Sequence, residues 1–366
     1  MNIRRATAKD AKQIVYVANN AFEPVRYEGY DFKQTMPIVY KNKDFVKTHF
    51  VCEENGNIIA TAGNIIRDLK IGDVVCKFSN VGTVSTLPKH QGKGCMTMIM
   101  KEIEKENIEE NVAFSILTGD RKRYNHFGYE KAGFVYMLNV NKKLLNVKEC
   151  PEISISEYRG KNEDDVLYEI YASNDKINLR SKEDFSLGLK SRKHKIYVIK
   201  IADEIDGYFT LDREGKSVDE LYLQDINLLE SAVCSILKRL GKEQMAFKVN
   251  PLDKEYFDIL EKFSEEVETI DEIHFKVYDL KKFLEMLFEL NKKIKKFENR
   301  KYIYSVDDKT YKITIKNNRI KIKEGKYTSQ KSFSMGEFLR YILSANNSYE
   351  ENKLTMIFAL NYVDLF

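Results

Sequence analysis

The stretch VSTLPKHQGKGCM, residues 84–96, decides the fold. Its β-branched first half predicts a strand that stops at Pro88, and a helix is expected to begin at Gly94 after a short turn. The first backbone N–H groups of such a helix have no intrahelical partner and lie at the positive end of the helix dipole, which suits a phosphate group. Gly92 and Gly94 would let the backbone approach that anion closely. The stretch therefore predicts a phosphate-binding turn between a strand and a helix.

Two well-known phosphate motifs do not fit this turn. It lacks the Gly-Lys-Ser/Thr ending of a Walker loop. It also follows predicted antiparallel hairpins and not the first strand of a βαβ unit, so it is not a dinucleotide fingerprint.

The turn lies within a first unit of about residues 1–140. Helices are predicted over Lys9–Phe22 and from Gly94 to about Asn107, and strands follow at Val112–Leu117 and Gly133–Val140. Because strands and helices do not alternate regularly, the pattern predicts a mixed sheet in an α/β (α+β) architecture and not a doubly wound parallel sheet.

The composition is that of a globular protein. The 366 residues carry 60 Lys and Arg against 56 Asp and Glu, a formal net charge of +4, which does not by itself imply a nucleic-acid partner. No apolar run approaches the roughly 20 residues of a membrane span, and no signal peptide is visible. The five cysteines are widely scattered, which indicates reduced thiols in a cytoplasmic protein. No Cys/His spacing resembles a zinc site, so no metal is expected.

A second motif, RYNHFGYEKAGF at residues 123–134, follows the glycine turn by about thirty residues. Together the two motifs resemble the GNAT superfamily of acetyl-CoA-dependent N-acetyltransferases. The family's pyrophosphate motif falls on Gln91, Gly94 and Met96, and Met96 departs from the usual small last residue. The family's usual general acid falls on Tyr124. The alternative for Tyr124 is a packed core aromatic.

The rest of the chain narrows the resemblance. Residues 151–279 repeat part of the element order of the first unit, and residues 280–366 begin with a helix, continue with alternating strands and end on an apolar run. This organisation resembles the Eis (enhanced intracellular survival) group of acetyltransferases. The resemblance implies a catalytic GNAT domain at 1–140, a degenerate GNAT-like domain at 151–279 and a sterol-carrier-protein-like α+β domain at 280–366. In that group a bulkier Leu or Met often ends the phosphate motif, as Met96 does here.

The resemblance also implies a mechanism. Acetyl-CoA is the cosubstrate, and its acetyl group passes directly to a primary amine of an aminoglycoside-like or polyamine-like cation, or of a lysine side chain. The backbone of Val84 and Thr86 would pair with the pantetheine arm, and Tyr124 would protonate the departing thiolate. The residues assigned to acetyl-CoA are Val84, Ser85, Thr86, Gln91, Gly92, Lys93, Gly94, Cys95 and Met96.

Three further side chains or groups are candidates for the amine side of the reaction. The group places the chain's terminal carboxylate at the active site, which here belongs to Phe366; the alternative is a hydrophobic strand that merely stops. Glu23 and Asp31 follow the first helix, a region that lines the acceptor pocket in the superfamily, and would add negative charge. The alternative for both is an ordinary solvated surface acid.

The second unit lacks the glycine turn. Between its candidate strand Leu221–Gln224 and the next helix the linker is Asp225-Ile226-Asn227, and Asp225 would repel a phosphate. We therefore expect one acetyl-CoA per chain, bound to the first unit. The resemblance further implies a homo-oligomer, with a hexamer as its form.

Two other functions compete with this interpretation. Residues 292–331 contain 14 Lys and Arg against 4 Asp and Glu, so the third unit could bind nucleic acid or another polyanion. Yet along Tyr311–Lys323 the lysines alternate with apolar residues, as in a sheet with one solvated face, which argues against nucleic acid. The second competitor is a GNAT-like sensor that binds acyl-CoA without turnover; the two glycines and Tyr124 argue against it.

Overall fold

Three β-sheets organise the part of the chain that the computed structural model describes, which is residues 1–22, 31–41, 43–145, 153–173, 180–271, 273–343, 354 and 356–358. In the first part the elements are β1 (Asn2–Arg5), α1 (Ala11–Phe22), α2 (Phe32–Thr35), α3 (Pro37–Tyr40), α4 (Lys43–Val46), β2 (His49–Glu54), β3 (Asn57–Ile71), β4 (Val74–Thr86), α5 (Cys95–Glu109), β5 (Val112–Leu117), α6 (Arg121–Asn125), β6 (Glu130–Lys131) and β7 (Val135–Asn141). The middle part contains β8 (Ile153–Glu157), α7 (Lys161–Ala172), α8 (Phe185–Leu189), β9 (Lys195–Ile201), β10 (Glu204–Leu211), β11 (Ser217–Leu223), α9 (Leu229–Leu240), β12 (Gln244–Val249), α10 (Lys254–Leu260), β13 (Ser264–Ile270) and β14 (His274–Val277). The last part contains α11 (Leu280–Asn291), β15 (Arg300–Val306), β16 (Lys309–Lys316), β17 (Arg319–Glu324), β18 (Lys331–Phe333) and α12 (Met335–Leu343).

The mixed α/β architecture predicted from the sequence is confirmed. The first sheet has the strand order β1-β2-β3-β4-β5-β14-β6, and the second has the order β13-β7-β12-β11-β10-β9-β8. Both combine antiparallel strands with one parallel pair, β4–β5 in the first and β11–β12 in the second. The third sheet, β17-β16-β15-β18, belongs to the last part of the chain.

The first two sheets exchange a strand, which the sequence did not predict. β7 was expected to complete the first unit but lies in the second sheet, between β13 and β12. β14 was expected in the second unit but lies in the first sheet, where it pairs with β5 and β6. The correction has a packing reason, because Leu138 of β7 lies in the core of the second sheet and Phe275 of β14 lies in the core of the first. Either half alone would lack one of its strands.

The central core lies between the first sheet and the last part of the chain. All six residues of β5 are buried, because the strand is paired on both edges and covered on both faces. Phe114 of β5 stacks on Phe78 with ring centroids 5.6 Å apart and contacts Phe283 of α11 at 5.0 Å. The same cluster continues into the third sheet through Tyr304. The first and third units therefore share one hydrophobic core.

The apolar C-terminal run packs into this core where it is described. Met356 and Phe358 are buried, and the Phe358 ring meets that of Phe275 at 5.1 Å. Asn291 at the end of α11 holds the segment, since its side chain accepts from the N–H of Ile357 at 2.8 Å and donates to the same residue's carbonyl at 2.9 Å.

The basic strands of the third sheet have one buried and one solvated face. Tyr311, Ile313 and Ile315 of β16 are buried, whereas Lys316 and the facing Arg319 are exposed. The alternation confirms the solvated-face interpretation of this region.

The buried ring of Phe275 on the exchanged strand β14 should contribute strongly to stability. Truncation of Phe275 to Ala removes a fully buried ring from between β5, α11 and the C-terminal segment, and we expect a loss of about 3–5 kcal/mol in the free energy of unfolding. Urea unfolding followed by far-UV circular dichroism measures it. Val267→Ala on β13, where 39% of the residue is exposed, is the control and should cost no more than about 0.5 kcal/mol. Equal losses for the two variants would contradict a structural role for the exchange.

Candidate active site

The candidate site begins where two parallel strands part. The β4–β5 ladder runs from the Lys77–Val112 pair to the Asn80–Ile116 pair and then stops. β4 continues along β3 to Thr86, and a β-bulge places Thr83 at a φ of 50°. Beyond Asn80 the edge of β4 that faces β5 therefore has no strand partner among the described residues. This separation of the two strands is called the opening. A bulge bends its strand, which accounts for the separation.

Buried hydroxyl groups fix the point of separation. Ser79 and Ser115 face each other in register one pair before the ladder ends, and the Ser79 hydroxyl donates to the Ser115 hydroxyl at 2.7 Å. The Tyr129 hydroxyl lies 2.7 Å from Ser115 Oγ, and Asn107 of α5 donates to Ser79 Oγ at 3.0 Å. Because buried polar groups must stay paired, this network holds the two strands together at the base of the opening.

The glycine turn lies at the far end of β4. A short helix at Pro88–His90 precedes it, Gly92 and Gly94 both have a φ of 79°, and α5 begins at Cys95. This left-handed backbone favours glycine. A Cβ on either glycine would meet open space, so the turn is accessible from outside. The predicted strand–turn–helix arrangement is thus present.

The start of α5 offers unpaired backbone donors. The N–H groups of Cys95, Met96 and Thr97 have no acceptor in the described part of the chain, as expected for the first turn of a helix without a side-chain cap. Lys93 is drawn aside, because its Nζ lies 2.9 Å from Glu54 Oε2 and 3.2 Å from His90 Nδ1. The turn therefore presents backbone amides to an anion.

Tyr124 lies beyond the end of β5, on the short helix α6. Asp120 caps this helix by accepting from the Arg123 N–H at 3.0 Å. Tyr124 is only 6% exposed. Its ring packs so closely on Gly119 that a Cβ at that glycine would lie 2.4 Å from ring carbon Cε2 of Tyr124. Burial raises the pKa of the Tyr124 phenol to about 12, so the hydroxyl is protonated at neutral pH. Tyr124 is a packed aromatic, and it is also a phenol that can donate a proton.

His274 joins this cluster from a distant part of the sequence. It is the first residue of β14, in register with Leu117 at the end of β5, and its ring centroid lies 6.3 Å from that of Tyr124. The residue is 1% exposed, and neither ring nitrogen has a hydrogen-bond partner among the described residues. Burial, followed by the positive charge of Lys131, lowers the pKa of His274, so the imidazole is neutral. The sequence offered no signal for it, because only the strand exchange brings it here.

The predicted acceptor-side residues are placed in part. Asp31 caps α2, since its carboxylate accepts from the Lys33 N–H at 3.0 Å and from the Asn19 amide at 3.3 Å. The carboxylate therefore has a local structural role, and its role toward a substrate stays a prediction. Glu23 and Phe366 lie outside the described residues.

The corresponding opening in the second sheet is filled. Parallel pairing of β11 and β12 stops at the Val218–Phe247 pair, but the N–H of Leu223 donates to the Tyr256 hydroxyl at 2.9 Å. The following turn satisfies itself, because Asp225 accepts from the Asn227 N–H at 2.9 Å. The donors of Leu223 and Asn227 are thus satisfied within the chain.

Neither a metal-binding cluster nor a membrane-spanning helix occurs among the described residues. No group of three or more His, Cys, Asp or Glu side chains is arranged to hold a metal ion. No helix in the described ranges is long and apolar enough to cross a membrane.

Comparison with known proteins agrees with this geometry. Residues 2–132 match the family model described as an acetyltransferase (GNAT) domain. An S-alkylcysteine N-acetyltransferase of Bacillus subtilis is 25% identical over 138 residues, a match that covers 35% of this chain and 77% of that protein.

Solved structures share the fold over nearly the whole chain. A probable N-acyltransferase of Enterococcus faecalis has a TM-score of 0.68 at 13% identity, covering 93% of this chain and 89% of that one. A GCN5-related N-acetyltransferase of Anabaena variabilis has a TM-score of 0.68 at 14% identity, with 94% and 90% covered. Eis1 of Mycobacterium abscessus has a TM-score of 0.64 at 14% identity, with the same coverage. At these identities the likeness concerns the fold.

The strand separation, the glycine turn and the family match all fall within the same stretch of the first sheet. The family match confirms the predicted enzyme class and its cosubstrate, acetyl-CoA. Residues 2–132 match a GNAT acetyltransferase domain, and this match together with the Bacillus relative identifies the chain as an N-acetyltransferase.

Proposed function

We propose that acetyl-CoA binds in the opening between β4 and β5 and that its acetyl group passes directly to a primary amine of a small cationic molecule or a lysine side chain. The observation that carries the proposal is the joint presence of unpaired helix-start amides at Cys95–Thr97 and a buried phenol beyond the end of β5. The amides of the turn between Gln91 and Met96 would hold the pyrophosphate. The free edge of β4 at Val84–Thr86 would pair with the amides of the pantetheine arm.

The chemistry requires the nitrogen to lose two protons and the sulfur to gain one. An alkyl ammonium has a pKa near ~10.4, so the amine must lose a proton before its nitrogen attacks the thioester carbonyl. A C–N bond then forms, the C–S bond breaks, and the nitrogen loses a second proton to solvent. Tyr124 would donate its proton to the departing sulfur, and its phenolate would recover a proton from solvent. The net result is an amide, a free thiol and one released proton.

The buried phenol suits this role in one respect and limits it in another. Its pKa of about 12 keeps Tyr124 protonated in the resting enzyme. A free thiol has a pKa of roughly 8.5, so complete transfer from the phenol to a thiolate is uphill until the phenolate is reprotonated. The phenol would therefore act first as a hydrogen-bond donor to the charge that develops on sulfur, where a preorganised donor is most effective.

The acceptor class follows from the resemblance and from one relative. Cationic amines of the aminoglycoside or polyamine type and lysine side chains come from the Eis-like organisation. The Bacillus relative is named for an S-alkylcysteine, so amino acids of that kind belong in the same acceptor panel. A thiol-release assay over this panel also tests the competing sensor hypothesis, because a non-catalytic acyl-CoA sensor would release no thiol with any amine.

The domain assignment and the assembly belong to the same proposal. The tandem GNAT-like interpretation of residues 1–140 and 151–279 requires one change. β7 must be assigned to the second domain and β14 to the first. The sterol-carrier-protein-like character of 280–366 and a homo-oligomeric, hexameric assembly stay predictions.

The filled opening of the second sheet predicts the binding stoichiometry. Because Tyr256 occupies the Leu223 donor and Asp225 lies in the turn, we expect one acetyl-CoA per chain. Isothermal titration calorimetry measures the ratio. A ratio of two would contradict the assignment of the second unit as non-binding.

Removing the Tyr124 hydroxyl tests the proposed acid. We expect Tyr124→Phe to lower kcat by about 10²–10³-fold, within the usual range for general acid catalysis, with the Kd of acetyl-CoA changed by less than about twofold. Tyr311→Phe is the matched control, because burial raises the pKa of that phenol to about 12 as well and it lies in the third sheet. A Tyr124→Phe rate close to wild type would exclude the assigned acid.

The carboxylate of Phe366 can be moved without altering any described residue. Adding one glycine after Phe366 displaces the charge by about 3.5 Å, and we expect kcat to fall at least tenfold if the carboxylate orients the amine. Acetyl-CoA affinity measured by calorimetry should stay the same. Unchanged turnover would remove this carboxylate from the mechanism.

A further inference from the structure

We propose that Glu130 and Arg340 form a clamp that holds α6, the helix carrying Tyr124, in its working position, so that α12 of the last unit is a positioning element for acetyl transfer. The proposal rests on the catalytic role proposed above for Tyr124. Neither Glu130 nor Arg340 would touch the substrate; both would act through α6.

The clamp begins with a buried carboxylate that ties down both ends of α6. The Glu130 side chain is only 5% exposed. It accepts from Arg121 Nε at 2.6 Å and Arg121 Nη2 at 2.9 Å, and from the Asn125 amide at 3.2 Å. Arg121 and Asn125 are the first and last residues of the five-residue helix. Tyr124 is thus held on a helix fixed at each end to one carboxylate.

The third unit, residues 280–366, completes the clamp through α12. Arg340 of α12 places its Nη1 2.5 Å from Glu130 Oε2. Gly336, one turn earlier in α12, permits this approach, because a Cβ at that position would lie 3.0 Å from the same carboxylate oxygen. α12 therefore contacts Glu130 at two positions. The Arg340 guanidinium pairs with the carboxylate, and Gly336 leaves room for the carboxylate because it has no side chain.

The carboxylate stays charged in this setting. Burial alone would raise the pKa of Glu130, but the hydrogen bonds from Arg121 and Arg340 outweigh it and lower the pKa below its ordinary value. At neutral pH the clamp is therefore an ion cluster of one carboxylate and two guanidiniums. Paired charges of this kind have a defined geometry, because Arg donates through a rigid fork.

A shift of α6 would reach Tyr124 directly. The ring packs against Gly119, where even a Cβ would not fit, and release of both ends of α6 would free the helix to move away from this contact. Outward movement would hydrate the phenol and displace it from the leaving sulfur. A misplacement of about 1 Å at a reacting group can cost 10²-fold in rate.

The dependence of kcat on pH distinguishes a positioning role of the clamp from a merely structural contact, which would not shift this dependence. Charged or titratable groups that face Tyr124 are Arg123 and Asp120 on its own helix and cap, with Tyr129 and His274 packed against its ring. None of these is altered by substitution of Arg340. A hydrated phenol should ionise near its ordinary pKa of about 10, whereas the buried one ionises near 12. Loss of the clamp should therefore bring the alkaline fall in kcat to lower pH.

The test compares Arg340→Gln with Arg340→Lys and with Arg319→Gln, an exposed position of the same unit that undergoes the same chemical change. For Arg340→Gln we expect kcat to fall about 10–100-fold, with the Kd of acetyl-CoA within twofold of wild type. The ratio of its kcat to that of wild type, taken with one acceptor so that amine ionisation cancels, should fall further between pH 9 and pH 11. Arg340→Lys should recover part of the rate, and Arg319→Gln should match wild type throughout.

A second background separates this proposal from the assignment of the acid. In a Tyr124→Phe chain, Arg340→Gln should cause almost no further loss, because the clamp acts through the phenol. An equal further loss there, or a wild-type rate and pH profile for Arg340→Gln alone, would overturn the clamp. A wild-type rate for Tyr124→Phe alone would instead overturn the acid. If Arg340→Gln does not fold, judged by its thermal unfolding, the pH profile of Arg340→Lys decides: an unshifted alkaline limb at reduced kcat would contradict the clamp.

Discussion

The structure depends on one constraint, which is that β4 and β5 pair only up to the Asn80–Ile116 position. A parallel ladder that continued would bury every backbone donor and leave no place for an extended ligand. The Ser79–Ser115 hydrogen bond keeps the strands together immediately before the break, and the Thr83 bulge turns β4 away after it. The opening is thus bounded on one side by the Ser79–Ser115 hydrogen bond, whose loss would leave unpaired polar groups in the core. On the other side it is bounded by the Thr83 bulge, which bends β4.

The exchange of β7 and β14 makes the two halves one cooperative structure. β14 closes the free edge of β5, and it also delivers His274 to the ring of Tyr124. The third unit adds to the same assembly, because α11 and the described C-terminal segment pack on the opposite face of β5. The proposed site of acetyl transfer is consequently supported by elements from every part of the chain, although the residues that match the family model end at 132.

The sequence could predict what local chemistry determines. The glycine turn, the helix that follows it and the position of Tyr124 in a recognisable motif all depend on residues within about ten positions of one another. The strand exchange could not be predicted, because β7 and β14 are both short, half-polar strands that fit either sheet by pattern alone. His274 and Arg340 were missed for the same reason. Their importance depends on contacts with residues more than a hundred positions away, and nothing in their local sequence distinguishes them from ordinary surface residues.

The two sheets contain the same kind of strand separation and resolve it in opposite ways. In the second sheet the donor at Leu223 is bonded to Tyr256, so the polypeptide itself supplies what a ligand would. In the first sheet the amides of Cys95, Met96 and Thr97 have no acceptor among the described residues. An anion at this turn would pair these donors, and a ligand that binds only the folded state stabilises it by RT ln(1 + L/Kd), where L is the free ligand concentration. The same unpaired groups make the first unit the half for which we propose acetyl-CoA binding.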